Sequence, residues 1–113
     1  MTETIAYKIL TPAENEALVQ DGQFAGSADD LRDGFIHLST ADQLGETLDK
    51  HYAGRTDVVI AAIALTQLGD ALRWESSRGG QLFPHLYGVL MLTSVIAAGK
   101  LERAMDGSVK LPA

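Results

Sequence analysis

The sequence predicts an α+β domain, and three observations lead there. Two helix-start signatures, Thr11-Pro12-Ala13-Glu14 and Thr40-Ala41-Asp42-Gln43, fall in the first half of the chain. An unbroken apolar run, VVIAAIAL over residues 58–65, is rich in β-branched residues and has no polar alternation, as expected of a central strand covered on both faces. The stretches that follow read mostly as strands. Helices early and strands late make an α+β order rather than a series of βαβ units.

Ile5, Tyr7 and Ile9 alternate with Ala6, Lys8 and Leu10, which predicts a first strand with one strongly apolar face. The first helix is expected over about residues 12–20, because Thr11 can cap, Pro12 suits the first helical position and Glu14 can close a capping box. It should bury Ala17 and Leu18 and stop at Asp21-Gly22. Residues 25–34, with Gly26, Ser27, Asp29, Asp30, Asp33 and Gly34, read as a polar surface loop, either a plain connector or one wall of a pocket.

Residues 35–38 form the second predicted strand. Phe35, His37 and Ser39 point to one face, and Ile36, Leu38 and Thr40 to the other. Thr40 then caps a helix expected over about residues 41–53. Leu44, Leu48 and Tyr52 make its buried stripe, His51 lies at the surface beside them, and Gly54 ends it. Residues 66–70 read as a turn or a single helical turn. In the next strand Leu72 and Trp74 face inward and Arg73 and Glu75 face the other way, before a flexible loop over residues 76–80. Pro84 keeps Phe83 extended, so that His85 sits in an aromatic loop bounded by Pro84 and Gly88. Residues 89–92 fit either a strand or a short helix. Residues 95–102 read as a strand in which Gly99 hints at a bulge, and Asp106-Gly107 signals a tight turn with a short antiparallel return over residues 108–111.

The totals bound the function. The 113 residues suit one domain spanning 1–113. Cysteine is absent, which removes disulfides, thiolate nucleophiles and Cys-zinc sites. A net charge of −6, a pI near 4.8 and the lack of a Lys/Arg cluster argue against a nucleic-acid partner. No apolar run is long enough to span a bilayer, and the first residues lack the pattern of a signal peptide, so a cytoplasmic setting is expected. The oligomeric state is left open between a monomer and a weak dimer.

Few residues could carry chemistry. Histidine is the side chain best placed to exchange protons near neutral pH, which singles out His37 and His85, and Glu75 could act as a base or hold a developing cation. These three are the catalytic candidates, with Ser39, Trp74 and Tyr87 as ligand contacts and the Asp29/Asp30/Asp33 segment as a further acidic group. No nucleophile elbow and no HxH or HExxH spacing occurs, so neither a hydrolytic triad nor a metal site is supported. Each candidate has a structural alternative: His37 and His85 as hydrogen-bond hubs, Trp74 as core, Glu75 as a solvated strand residue and Tyr87 as a core cap. Three readings stay open: an enzyme, a ligand-binding module that turns nothing over, and a structural or interaction protein.

Gly34-Phe35-Ile36-His37-Leu38-Ser39-Thr40, Trp74-Glu75 and Phe83-Pro84-His85-Leu86-Tyr87-Gly88 together resemble the signature blocks of the "domain of unknown function 952" family, small proteins of bacterial type. The resemblance implies an ADP-ribosyltransferase-like fold, a split and bent antiparallel β core with helices packed on it and a cleft between its halves. It implies a nucleotide- or sugar-like ligand and raises NAD without specifying any cofactor. His37 with Ser39 and Thr40 resembles the histidine element of the NAD-using enzymes, Tyr52 or Tyr87 could supply an aromatic platform, and Glu75 is the glutamate placed to stabilise an oxocarbenium-like sugar. The chain departs from those enzymes in having Leu38 after the histidine, Glu75 early in the fold and no Gln-x-Glu or Glu-x-Glu pair.

Overall fold

A computed structural model describes residues 3–112, apart from the side chain of Arg78. It has eight short strands and three helices. They are β1 (Ile5–Leu10), α1 (Pro12–Asp21), β2 (Gln23–Phe24), α2 (Ala28–Asp33), β3 (Ile36–His37), α3 (Ala41–His51), β4 (Val59–Ala64), β5 (Leu72–Ser76), β6 (Leu82–Leu86), β7 (Leu90–Met91) and β8 (Val95–Lys100). All strand pairs are antiparallel. The fold is therefore a mixture of helices and antiparallel sheets, as the α+β order predicts.

The β structure is split into sheets of order β1-β4-β8 and β3-β6-β5, with a small β2-β7 pair beside them. The two larger sheets touch at one bridge. Tyr7 N–H donates to Ser39 O at 2.7 Å, and Ser39 N–H returns a bond to Tyr7 O at 2.9 Å. The chain from Phe35 to Ser39 thus runs between β1 and β6 and joins the halves.

β4 is central, as its apolar run requires. Its residues feed two cores on opposite faces. Ala61 and Ile63 pack with Leu10, Leu18, Ile36, Leu86 and Leu90, while Ile60 and Ala62 pack with Tyr7, Ile9, Leu44 and Leu48. Each fully buried leucine contributes roughly 1.5–3 kcal/mol relative to exposure. Helix α3 lays its Leu44/Leu48 stripe on the second core, with Tyr52 partly buried beside it. Among the described residues no helix is long and apolar enough to cross a membrane.

The structure corrects several local expectations. Within residues 25–34 lies a helix, α2, so the main helices number three rather than two, and the polar loop reading fails. Ser27 caps it: Asp30 N–H donates to Ser27 Oγ at 3.2 Å and Ser27 N–H to Asp30 Oδ2 at 2.8 Å. This is a capping box in which aspartate replaces the usual glutamate. His85 lies not in a loop but in β6, the middle strand of its sheet. Pro84 is tolerated there because it offers its carbonyl, which accepts from Leu38 N–H at 3.1 Å.

The register irregularity of β8 falls opposite Ala62/Ile63, while Gly99 pairs regularly with Ile60. Helix α3 ends at His51 with Tyr52 as its cap, three residues before Gly54. The first strand has no polar face, since Lys8 is buried too. Ala17 is only partly buried, leaving Leu18 as the buried residue of α1. Residues 89–92 resolve into β7 followed by a 3-10 turn, residues 65–71 form two 3-10 turns, and Arg103 bridges Val109 across the Asp106-Gly107 turn.

Candidate functional site

Register alone brings the two histidines together. His37 of β3 pairs with His85 of β6, and His85 pairs on its other side with Arg73 of β5. Directly opposed residues share a sheet face, so His37, His85 and Arg73 stand on one side, with Ile36, Leu72 and Leu86 on the core side. The two imidazole centroids are 5.7 Å apart in an edge-on arrangement. Phe35 stacks on His85 at 3.9 Å and leans on His37 at 4.6 Å, which fixes both rings.

Each histidine has its own carboxylate. His85 is 5% exposed, and its Nδ1 lies 2.8 Å from Glu75 Oε1. Tyr87 donates its hydroxyl to the same oxygen at 2.7 Å. These bonds, first from His85 and then from Tyr87, hold the Glu75 carboxyl below the usual glutamate range. The shared bond to Glu75 pushes the Tyr87 phenol up. A carboxylate accepting at Nδ1 selects the tautomer with the proton there, which leaves Nε2 as an acceptor. Nε2 of His85 has no hydrogen-bond partner among the described residues.

His37 is held differently, with both ring nitrogens engaged. Nδ1 lies 2.6 Å from Asp30 Oδ1 and Nε2 lies 3.0 Å from Asp33 Oδ2. Two ionised carboxylates only accept, so both bonds form when both nitrogens carry protons. Asp30, 2% exposed, is the hub of the region. Besides the His37 ring it accepts from His37 N–H at 3.1 Å, Ser27 N–H at 2.8 Å and the buried Lys8 Nζ at 2.8 Å. Burial alone would raise its carboxyl, but the His37 hydrogen bond and the Lys8 charge outweigh that and hold it far below the ordinary range. For Asp33 the Arg32 guanidinium is the main cause of a lowered carboxyl. Asp30 therefore ties α2, β1 and β3 together.

A cavity of about 410 Å³ opens among β1, α2, β3, the end of α3 and β6. That size suits a small-molecule ligand. His37, Ser39, Phe83 and His85 border it, with Asp29, Asp30 and Asp33 from α2 and Lys50, His51 and Tyr52 from the last turn of α3 and its cap. Ser39 is buried, and its hydroxyl lies 3.2 Å from that of Thr47.

Of the residues the sequence singles out, His37, Ser39 and His85 thus meet at one cavity. Glu75 is linked to it through His85, and Tyr87 through Glu75 and the Phe35 ring; neither borders it. Trp74 lies on the core side, packed against the apolar cluster, and does not border the cavity. Tyr52 borders the cavity and Tyr87 does not, so Tyr52 is the aromatic platform of the two that a ligand could reach. Lys8 escapes sequence reasoning because strand alternation says nothing about a charged residue on an apolar strand. His51 is exposed as expected, but at the cavity mouth. The Ser27-x-x-Asp30 spacing is the signal that could have located the Asp30 hub. Among the described residues no group of three or more His, Asp or Glu is arranged to hold a metal ion.

The family model described as "Protein of unknown function (DUF952)" matches residues 9–98. The crystal structure of protein CC0527 from Caulobacter crescentus is 45% identical to this chain, with a TM-score of 0.86 over 95% of this chain and 94% of that one. The solution NMR structure of the same protein is 46% identical, with a TM-score of 0.80 over 95% and 91% of the two chains. A comparison with curated proteins finds no match.

Proposed function

The chain belongs to the DUF952 family, and from the geometry of its site we propose that it binds a small polar, nucleotide- or sugar-like molecule in the cavity and acts on it by proton transfer through His85. The observation that carries this reading is the Glu75–His85 pair. A buried imidazole is oriented at Nδ1 by a carboxylate, its Nε2 is free of protein partners among the described residues, and it borders a ligand-sized cavity. This is the arrangement of an oriented general base. Nε2 takes a proton from an attacking water or hydroxyl, Glu75 stabilises the resulting imidazolium, and the proton passes to the leaving group. A hydrolase-like or transferase-like reaction uses these steps.

The split β core, with the cavity beside the Tyr7–Ser39 bridge, supports an ADP-ribosyltransferase-like arrangement and keeps NAD among the ligands to test. The role that this resemblance gives Glu75 fits poorly. Its Oε1 is taken by His85 and Tyr87 and it does not border the cavity, so orienting His85 is the better assignment. His37, with both nitrogens engaged, is better suited to fixing the cavity wall than to moving protons. That engagement also favours a second reading, a binding module in which the same groups hold a ligand without turnover. The ordinary soluble composition supports a cytoplasmic setting for either.

A thermal-shift screen against nucleotides, NAD and sugar phosphates tests the binding claim, because a ligand of the native state raises the melting temperature. A flat result over the whole set would sink it. With a hit in hand, turnover is compared in wild type and His85→Gln. A loss of about a hundredfold or more with retained binding identifies proton transfer, and binding without any turnover in wild type leaves the binding module.

A further inference from the structure

The charges around the cavity are unevenly committed. Asp29 pairs with Arg32 at 2.9 Å, and Asp33 pairs with Arg32 at 3.1 Å and His37 at 3.0 Å. Asp30 is taken by Lys8 and His37. Each of the three carboxylates bordering the cavity thus has a partner within the protein, and Lys8 and Arg32 are both engaged with them. Lys50 and His51 stand apart. They are adjacent on the last turn of α3, both are exposed, both border the cavity, and neither has a carboxylate partner among the described residues. Among the described residues that border the cavity, Lys50 and His51 are thus basic side chains that no carboxylate of the protein engages.

We propose that Lys50 and His51 form an anion subsite that takes the phosphate group of a phosphorylated nucleoside or sugar. The proposal rests on the cavity reading above and narrows its ligand class. Cations at a helix C-terminus also favour the exposed carbonyls there. That effect accounts for basic residues in the last turn; it does not account for both of them bordering a cavity whose acidic neighbours are already paired. An ammonium and an imidazole offer N–H donors to phosphate oxygens, and charge-assisted bonds of this kind are the stronger class. Tyr52, next in sequence and bordering the same cavity, offers an aromatic surface for the ring of the phosphorylated molecule.

The test is amide and imidazole NMR on the full chain, titrated with inorganic phosphate, ribose and ribose 5-phosphate, in wild type, Lys50→Gln and the Lys50→Gln/His51→Gln double variant. Both substitutions are at exposed positions, and circular dichroism checks that the fold is retained. Phosphate and ribose 5-phosphate are expected to shift the Lys50 and His51 resonances. Ribose 5-phosphate should bind at least about tenfold tighter than ribose, and that preference should shrink with added salt and vanish in the double variant. Equal affinity for the two sugars, or a preference that survives the double variant, overturns the subsite. If ribose shifts His85 and phosphate shifts nothing, the subsite fails and the cavity reading stands. If phosphate shifts Lys50 and His51 but no compound reaches His85, the subsite stands and the proton-transfer reading fails. Silence from all three compounds overturns the subsite.

Discussion

Oε1 of Glu75 is shared between two groups, the Nδ1 of His85 at 2.8 Å and the hydroxyl of Tyr87 at 2.7 Å. Both contacts lower the glutamate carboxyl, and both depend on β5 and β6 lying side by side. Tyr87→Phe removes one contact and keeps the ring. The Glu75 carboxyl should then titrate at a higher pH than in wild type, while His85 keeps its Nδ1-protonated tautomer. In Glu75→Ala the tautomer preference itself should weaken. Carboxyl-carbon and ring-nitrogen NMR read both effects; an unchanged tautomer in Glu75→Ala would show that Glu75 does not orient the ring.

The Lys8–Asp30 pair is almost wholly buried, so removing one partner leaves a charge without its counter-ion. Asp30→Asn, which leaves the buried Lys8 ammonium without a carboxylate, should cost about 3–5 kcal/mol in urea unfolding, and Lys8→Met should cost less, because Asp30 keeps His37 and two backbone N–H donors. The pH dependence has a definite sign. Asp30 is depressed in the folded state, so its contribution is complete above the unfolded carboxylate value of about 4 and is lost as pH falls through the folded value. Stability between about pH 6 and about pH 2 should therefore fall more steeply in wild type than in Asp30→Asn. Equal slopes would remove Asp30 from the acid response.

Gly26 and Gly22 separate backbone strain from crowding. Both have positive φ, at 127° and 72°. A Cβ on Gly22 meets nothing within 4 Å, whereas one on Gly26 would lie 2.8 Å from Asp30 Cβ. Gly22→Ala should cost about 1–2 kcal/mol from the left-handed conformation alone. Gly26→Ala should cost more and should also disturb the His37 resonances, because the clash falls on the residue that anchors the ring. Equal costs with an undisturbed His37 would show that α2 gives way freely.

Gln43 spans two elements from a buried position. Its Oε1 accepts from Thr40 N–H at 3.1 Å and its Nε2 donates to Leu82 O at 2.8 Å. Gln43→Leu keeps the bulk and leaves both backbone groups without this partner, which should cost about 1–3 kcal/mol. Amide exchange should quicken at Thr40 if the helix start depends on this bond, and an unchanged rate there would refute that dependence.

Local chemistry made much of the fold legible. The Thr11 and Thr40 capping signatures marked α1 and α3, the β-branched run marked β4, and the alternation of Leu72 to Glu75 separated Trp74 in the core from Glu75 on the other face. These features act over a few residues, where propensity and capping decide. α2 was missed because its capping box uses Ser27 and Asp30 inside a run rich in glycine and aspartate, whose composition signals a loop. β6 was missed because Pro84 argues against a central strand unless a neighbour needs only its carbonyl, as Leu38 does.

By itself the sequence determined the α+β class, two of the three helix starts, the central strand and the candidacy of His37, Ser39, Glu75 and His85. Only the tertiary structure decided how those residues are used. Strand register set His37 opposite His85, placed Glu75 behind His85 and turned Trp74 away into the core. Packing of α2 carried Asp30 onto Lys8 and His37, partners 22 and 7 residues away in the chain. The reason is physical: capping and periodicity are local, whereas a hydrogen bond between distant side chains depends on register and packing, which no short stretch of sequence encodes. Phe35 to Ser39 shows both sides of this division, legible as a strand from its residues and legible as the seam between two sheets only once the chain is folded.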